Sequence, residues 1–375
     1  SLNIYGTDID LGGIRVIAAA LAGSNLQSLN IGCANLDLEG ACIIAAALPA
    51  SNLQSIDISY TGTGDEGWRI FAAALAASKL QTLIVHCNFI EVAGARVIAA
   101  ALPRSNLQTL DVSRNDIGDG GMCAIAAALP ESKLQTLIAC RSKIGNEGMR
   151  AIVLALPNSN LHSIDVTENY IDAEGMCTIA ATLAGSKLQT LIACRNNIGN
   201  ESMRAIALAL PDSNLQSIDV SNNNIGNEGM RAIASVLARS NLQSLNVSNN
   251  SIADGGMCAI AAALPKSNLQ SLNVLGNYIG DRGNSAIIDM FRKSYCTVKI
   301  LGFISPTIDI LLHLNKMYFA WVNKLRFPFD ERILAAFYGL FVRNTTESIC
   351  DVVTKQIPLE LIHYIVDSVF IELKQ

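Results

Sequence analysis

The chain has 375 residues, of which 50% are hydrophobic, 16% are charged and only 5% are aromatic. The charged share is well below the roughly 25% of average soluble domains, and the apolar share comes mainly from Ala, Leu and Ile. The formal net charge of −5 argues against nucleic acid as the main partner, because phosphate binding needs a basic surface. No apolar stretch reaches the length of about 18 residues that predicts a membrane span.

A repeat of 27 residues organises most of the chain. The string Ser-(Asn/Lys)-Leu-Gln/His-(Ser/Thr)-(Leu/Ile) recurs at this interval, beginning at Ser24, Ser51, Ser78, Ser105, Ser132, Ser159, Ser186, Ser213, Ser240 and Ser267. Residues 1–23 fit the same template entered at its fifth position. The intervals therefore predict a partial repeat at 1–23 and ten full repeats over 24–293.

Each repeat contains the pattern of one strand and one helix. In residues 240–266, the alternation of Leu245 and Val247 predicts a short strand with one buried face. The second half carries apolar residues at the i, i+3, i+4 and i+7 spacing of an amphipathic helix, namely Met257, Ile260, Ala261 and Leu264. Asp254 is the predicted N-cap of this helix and Pro265 the residue that closes it. One such unit cannot bury its apolar stripe alone, so stacking of repeats is expected.

The pattern L-x-x-L-x-V-x-x-N-x-I in these repeats resembles the leucine-rich repeat signature. The 27-residue period with an Ala-rich helix is similar to the ribonuclease-inhibitor type, which also occurs in NOD-like receptors and Ran GTPase-activating proteins. The resemblance implies an α/β solenoid shaped as a horseshoe, with a parallel sheet on the concave face and helices on the convex face. The signature Asn occupies seven repeats, as Asn88, Asn115, Asn169, Asn196, Asn223, Asn250 and Asn277. Ala34, Thr61 and Ser142 replace it elsewhere, and we expect local irregularity there.

The repeat pattern ends after Lys293. Residues 294–302 are predicted to form a capping strand, so the solenoid is expected to cover 1–302. Residues 303–375 are predicted to form a small all-α C-terminal region, with helices at about 308–325, 330–343, 346–356 and 358–372. This region is interpreted either as a helical cap or as a docking module of its own.

One tail segment suggests a more specific role. Residues 357–365, with Pro358, Leu359, Glu360 and Leu361, look like the first helix of an F-box or the cullin-contacting helix of a SOCS-type box. Either resemblance implies a ubiquitin-ligase substrate adaptor that binds its ligase component through the C-terminal helices. Only 19 residues remain from Ile357, which is fewer than an F-box needs.

Residues with catalytic or ligand-binding potential follow the repeat template rather than a site. Cysteines recur singly at equivalent repeat positions, without the paired spacing of a zinc site, which predicts reduced thiols and no metal site. The run from Gly62 to Gly67 matches G-x-G-x-x-G, but two of its three glycines are template residues, so no cofactor is expected. No Ser–His–Asp arrangement is apparent among the 4 histidines, and we expect no catalytic residues. Trp68 lies on the apolar stripe of its helix and is expected in the core.

The concave face carries the strongest candidate site. Position 7 of the repeat alternates with buried neighbours, so its side chains are expected to face solvent, and Asp and Ile alternate there through the middle repeats. Exposed apolar rows mark partner sites, and Arg and Tyr, found three residues later, are frequent interface anchors. The candidate protein-binding residues are Asp57, Tyr60, Ile84, His86, Asp111, Arg114, Ile138, Arg141, Asp165, Glu168, Ile192, Arg195 and Asp219. Residues 132–158 and 186–212 are identical at 22 of 27 positions, which indicates duplication of a 54-residue pair of repeats. Alternatively, therefore, duplication alone produced the alternation and Glu168 simply pairs with its Arg neighbours.

These patterns predict a non-enzymatic protein–protein interaction scaffold that binds a protein partner on the concave face in an intracellular, cytoplasmic setting. No cofactor, nucleic acid or membrane is expected as a ligand. The tandem near-identical repeats and distinct helical tail resemble leucine-rich-repeat effectors of intracellular bacteria, which act in the host cytosol on host proteins. The alternatives are the ubiquitin-ligase adaptor and, by analogy with the Ran protein, a regulator of a GTPase.

Overall fold

Strands and helices alternate along the chain in the computed structural model, which describes residues 1–33, 36, 38–294 and 298–301. We number the repeats from the partial one, so repeat 1 is 1–23 and repeat 11 is 267–293. The strands are β1 (Leu2–Asn3), β2 (Ser28–Asn30), β3 (Ser55–Asp57), β4 (Thr82–Ile84), β5 (Thr109–Asp111), β6 (Thr136–Ile138), β7 (Ser163–Asp165), β8 (Thr190–Ile192), β9 (Ser217–Asp219), β10 (Ser244–Asn246), β11 (Ser271–Asn273) and β12 (Lys299–Leu301).

The helix of each repeat follows its strand. The helices are α1 (Leu11–Leu21), α2 (Leu38–Ala47), α3 (Gly64–Leu75), α4 (Val92–Ala101), α5 (Gly118–Ala128), α6 (Asn146–Ala155), α7 (Ala173–Leu183), α8 (Asn200–Ala209), α9 (Asn227–Val236), α10 (Asp254–Ala263) and α11 (Asp281–Lys293). As predicted, α10 ends just before Pro265, which lies in the 3₁₀ turn Leu264–Lys266. No helix in the described part of the chain is both long and apolar enough to cross a membrane.

All 12 strands form one parallel sheet in sequential order. Neighbouring strands pair at equivalent repeat positions, so that Leu245 lies opposite Ile218 on one side and Leu272 on the other. The last strand, β12, pairs with β11 in the place predicted for the capping strand. The α/β leucine-rich-repeat solenoid expected from the sequence is therefore confirmed.

The chain divides into two compact units. The first contains residues 1–287 and 298–303, which include the sheet and the helices α1 to α10. The second contains residues 288–297 and 304–375, of which the structure describes only 288–294. The four predicted tail helices lie outside the described residues.

The core fills the space between the sheet and the helices. In repeat 10, Leu245 of β10, Val247 directly after it, and Met257 and Ile260 of α10 are all buried. Full burial of one such side chain contributes about 1.5–3 kcal/mol. Trp68 replaces the Met of this position in repeat 3 and is only 1% exposed, which confirms its predicted place in the core.

The signature asparagines form a hydrogen-bonded row on each side of Ser142, which we call the asparagine ladder. Asn223 is representative: its Nδ2 donates to the carbonyls of Ala193 and Val220, both at 3.0 Å. Its Oδ1 accepts the backbone amides of Asn196 at 3.1 Å and Ile198 at 3.0 Å. Each such Asn thus satisfies buried backbone groups of two repeats, and the ladder joins neighbouring turns.

The ladder is interrupted at Ser142, and two helices begin one repeat position early. The Ser142 hydroxyl donates to a carbonyl of the preceding repeat at 3.2 Å, but it has no second polar atom to accept two amides. The helix before it, α5, begins one repeat position early at Gly118, which has a φ of +55°. The other early helix, α3, begins at Gly64 with a φ of +60°, within the repeat that holds Thr61, and the repeat after it has the regular Asn88. Ala34 lies outside the described residues.

Helix capping runs between repeats as well as within them, where Asp10 and Asp172 cap their own helices α1 and α7. The prediction that Asp254 caps its own helix was wrong, because Asp254 is the first residue of α10 and Ala253 precedes it without a side-chain cap. Asp254 Oδ1 instead accepts the amides of Gly280 at 2.8 Å and Gly283 at 2.9 Å, at the start of α11. Equivalent bonds to the next helix are made by Asp119, Asn200 and Asn227. Stacking places each of these side chains over the next helix N-terminus, where amides lack partners.

Candidate functional site

The structure brings the predicted Asp and Ile residues of position 7 into one row across the sheet. Register pairs Asp57 with Ile84, Ile84 with Asp111, and so on without interruption to Asp219. The three isoleucines, Ile84, Ile138 and Ile192, are half-buried rather than fully solvent-facing, because aspartates flank each of them. The row is therefore a mixed polar and apolar surface.

The aspartates of this row have a structural role that sequence reasoning did not identify. Asp111 Oδ1 accepts the amide of Ser113 at 2.9 Å, and Asp165 Oδ1 accepts the amide of Thr167 at 2.9 Å. Asn246 makes the same bond to Ser248 at 3.1 Å. An Asp or Asn here therefore forms the turn that ends its strand. The Asp half of the alternation has a local cause that is independent of any partner.

The loop that follows each strand carries two rows of outward side chains, at repeat positions 10 and 12. We call the part of these rows in repeats 3 to 8 the rim. Its position-10 residues are Tyr60, Cys87, Arg114, Arg141, Glu168 and Arg195, and its position-12 residues are Gly62, Phe89, Asp116, Lys143, Tyr170 and Asn197. The rim contains five of the thirteen residues predicted as the binding site.

The backbone of the rim is strained. All six position-10 residues have a left-handed conformation, with φ between 50° and 57°. This conformation costs a residue with a Cβ about 1–2 kcal/mol, and Gly and Asn tolerate it best. The same position holds Asn222, Asn249 and Gly276 in repeats 9 to 11. The rim thus keeps large side chains where the backbone favours Gly or Asn.

Charged rim residues form a short network. Arg141 Nε lies 2.6 Å from Glu168 Oε2, and Arg195 Nη1 lies 3.5 Å from the same oxygen. The hydrogen bond from Arg141, with the nearby charge of Arg195, lowers the pKa of Glu168 below its ordinary value. The ion pairs of Glu168 with its Arg neighbours, which the alternative interpretation expected, are therefore present in the structure. Arg114 has no ion-pair partner among the described residues.

Sequence reasoning missed three rim residues at position 12. Phe89 and Tyr170 are 76% and 72% exposed, which is unusual for such large apolar rings. Lys143 forms an ion pair with Asp116 at 2.8 Å. Phe89 and Lys143 also have left-handed φ values of 56° and 57°. The sequence could have indicated Phe89 and Tyr170, because both are aromatic at a position that is mostly Asn, Gly, Asp or Ser in other repeats.

The residue types of a hydrolase triad meet at His86, but in the wrong order. Ser59 Oγ donates to Asp57 Oδ1 at 2.6 Å and lies 3.0 Å from His86 Nδ1. Since the serine proton is committed to the aspartate, Nδ1 of His86 acts as the donor and not as the base that activates a nucleophile. Ser59 is also fully buried. His86 instead supports Tyr60, with the two rings perpendicular and their centroids 5.0 Å apart.

The eight cysteines that the structure describes are free thiols. Two of them, Cys140 and Cys194, lie on the sheet face beside Asp165 and Asp219. Burial, followed by the nearby aspartate, raises the pKa of Cys140 to about 12 and that of Cys194 to about 11. Within the described ranges, no group of three or more His, Cys, Asp or Glu side chains could hold a metal ion.

We expect Cys140 and Cys194 to resist alkylation by iodoacetamide at about pH 8, because the thiolate is the reactive form and their raised pKa values leave both thiols protonated. The exposed Cys33 serves as the internal control. Site-resolved mass spectrometry after a short exposure measures the three rates. Labelling of Cys140 as fast as Cys33 would contradict the prediction.

Comparison with known proteins is consistent with this architecture. Three segments, residues 105–126, 212–234 and 239–261, match the family model described as Leucine Rich repeat, so the chain contains leucine-rich repeats. No curated protein sequence matches the chain.

Several solved structures are similar in part. The structure of the TLR13–ssRNA13 complex has 21% identity and a TM-score of 0.45, covering 69% of this chain and 37% of that one. The LRR ectodomain of the Arabidopsis thaliana receptor kinase GASSHO1/SCHENGEN3, in complex with CASPARIAN STRIP INTEGRITY FACTOR 2, has 15% identity and a TM-score of 0.38, covering 71% and 29%. The yeast Rad7 and Elc1 complex has 14% identity and a TM-score of 0.44, covering 72% and 75%. The chain thus spans about a third of the first two.

Proposed function

We propose that the chain is a non-enzymatic scaffold that binds a protein partner through the position-7 row and the rim. The observation that carries this proposal is the left-handed backbone beneath six consecutive large or reactive side chains, from Tyr60 to Arg195. Strain of this kind persists where the side chain is needed, and it clusters at binding sites. Duplication of repeats accounts for the Asp and Ile alternation, but it does not account for the absence of Gly and Asn from position 10 of the rim.

The chemistry of the surface fits protein recognition. The rim combines exposed aromatic rings with arginines, which are the residue types enriched at interface centres. The half-buried isoleucines of the adjoining row add apolar area on the same side of the sheet. The ribonuclease-inhibitor-like subtype remains part of the proposal, supported by the 27-residue period and the Ala-rich helices. Cysteines that recur singly in the repeats support an intracellular location, and near-identical tandem repeats support an effector role.

The test is capture of partners by a charge-reversed surface. The double variant Asp111→Lys with Arg141→Glu is expected to lose the partners that the unaltered chain captures from host-cell lysate. A matched control, Asp212→Lys with Arg96→Glu, makes the same charge changes at exposed positions outside both rows. Capture is compared by quantitative mass spectrometry, and thermal unfolding checks the fold. Equal capture by the two variants contradicts the proposal.

A single substitution can separate the charge of Asp111 from its hydrogen bond in the turn. Asp111→Asn keeps the acceptor for the Ser113 amide and removes only the charge. We expect this single variant to retain the thermal stability of the unaltered chain. Any loss of partner capture is then attributed to the carboxylate charge.

The adaptor role remains an alternative. It depends on residues 357–365, which lie outside the described residues, so it stays a prediction. Deletion of 346–375 is expected to remove ligase components from the captured set and to leave the partner of the rim in place.

A further inference from the structure

We propose that the rim of repeats 4 to 8 binds an acidic segment of the protein partner that also carries apolar side chains. Its carboxylates would pair with Arg114 and with the Arg141 and Arg195 guanidinium groups, while its apolar side chains cover Phe89 and Tyr170. This inference rests on the proposed function and specifies the chemistry of the partner.

The first support is a local excess of positive charge. Positions 10 and 12 of repeats 4 to 8 contain four cations, Arg114, Arg141, Lys143 and Arg195, and two acids, Asp116 and Glu168. The rim therefore carries a net charge of +2 on a chain whose total is −5. An acidic partner is complementary to this patch and not to the chain as a whole.

The second support is the pairing state of these cations. Lys143 forms an ion pair with Asp116, with 2.8 Å between Nζ and Oδ2. Arg141 and Arg195 share the single carboxylate of Glu168, and a guanidinium has five donors, so both retain free donors. Neither Asp111 nor Asp165 lies within 4.0 Å of an arginine of this patch. Partner carboxylates thus have unused donors available to them.

The third support is the position of the exposed rings. Phe89 belongs to repeat 4 and Tyr170 to repeat 7, so three strand spacings of roughly 4.8 Å place them roughly 14 Å apart along the sheet. Arg114 and Arg141 belong to the two repeats between them. An extended segment of about five residues covers this distance. The patch therefore matches a short linear segment with acidic residues between two apolar ones.

A nucleic acid fits the patch less well. A phosphate backbone would also meet the aspartates of position 7, since Asp111, Asp165 and Asp219 lie on every second strand of the sheet. These like charges oppose a polyanion, whereas a short peptide can place its carboxylates on the rim alone. Binding of single-stranded RNA is therefore the competing outcome that the experiment must distinguish from peptide binding.

The experiment is selection of a displayed library of random dodecapeptides on the full chain. We expect selected peptides to be enriched in Asp and Glu together with Leu, Phe or Trp. The best peptide is then synthesised with a fluorescent label and titrated by anisotropy at low and high salt. Binding is expected to weaken as salt increases, because exposed charge pairs are screened.

Variants at the rim separate binding from folding. Arg114→Asn with Arg141→Asn is expected to weaken binding of the selected peptide by roughly tenfold, and Phe89→Asn by roughly fivefold. Asn suits the left-handed conformation at all three positions, so the thermal midpoint should not fall. The control Arg96→Gln with Arg231→Gln removes the same charge from exposed helix positions and should bind like the unaltered chain.

Three results would overturn this inference: enrichment of basic or neutral peptides, equal binding by the rim and control variants, or displacement of the peptide by an RNA oligonucleotide of mixed sequence at lower concentration than by unlabelled peptide. The proposed function fails separately. If the double variant Asp111→Lys with Arg141→Glu still loses its captured partner while no acidic peptide is selected, the scaffold role stands and only the acidic chemistry is wrong.

Discussion

Replacing Asn223 with Ala is expected to lower the free energy of unfolding by about 3–5 kcal/mol, one of the two largest effects that we predict for a single side chain here. The amide of Asn223 donates to the carbonyls of Ala193 and Val220, and its oxygen accepts the amides of Asn196 and Ile198. Alanine cannot make any of these bonds, and the backbone groups left without partners are buried between repeats. Each unsatisfied buried group costs about 1–3 kcal/mol.

Urea unfolding followed by circular dichroism measures this change. The control is Asn224→Ala, one residue later, because Asn224 is exposed and its side chain donates to the Asn197 side chain at 2.6 Å and not to buried backbone. We expect the control to cost less than about 1 kcal/mol. The loss for Asn223→Ser should lie between these two values, since a hydroxyl at this position can still donate to one carbonyl of the preceding repeat, as Ser142 does. Equal losses from Asn223→Ala and Asn224→Ala would mean that the ladder does not hold the repeats together.

The second large effect is expected at Asp119, whose carboxylate accepts the amides of Gly145 at 2.7 Å and Gly148 at 2.8 Å. Asp119→Ala should lower the free energy of unfolding by about 2–3 kcal/mol, because it removes both caps from the next helix. Asp119→Asn should cost less than about 1 kcal/mol. Asn200 and Asn227 already make the same pair of bonds in later repeats.

A nearby carboxylate tests the specificity of this effect. Asp116 is exposed and makes an ion pair with Lys143. Exposed pairs contribute about 0–1 kcal/mol, so Asp116→Ala should change the midpoint of urea unfolding little. A loss at Asp116 as large as that at Asp119 would show that charge, and not helix capping between repeats, explains the result.

The solenoid could be predicted because its information is local and periodic. Alternation at Leu245 and Val247 and helical spacing from Met257 onward each define an element within a few residues. The 27-residue interval then requires equivalent positions to pair, as Leu245 does with Leu272. The burial of Trp68 could be predicted from the same pattern, since residues on the apolar stripe of the helix pack into the core.

The candidate site could be predicted only in part. The sequence located the Asp and Ile row and the arginines, and the register of the sheet makes them neighbours. It did not show that Asp111 is bonded to the Ser113 amide, nor that Phe89 is exposed. Both depend on the conformation of the loop after the strand, which periodicity does not encode.

Spacing along the chain was enough to predict the repeat, the strand and helix of each unit, the buried faces and the positions of the ladder asparagines. The hydrogen-bond partner of each polar side chain, in contrast, became known only from the three-dimensional arrangement of the repeats. Asp254 caps the helix of the next repeat, Ser59 stands between Asp57 and His86, and the loops hold Phe89 and Arg114 in left-handed conformations. These outcomes depend on stacking, since the partners lie in a neighbouring turn and the loop backbone takes its shape from contacts with that turn.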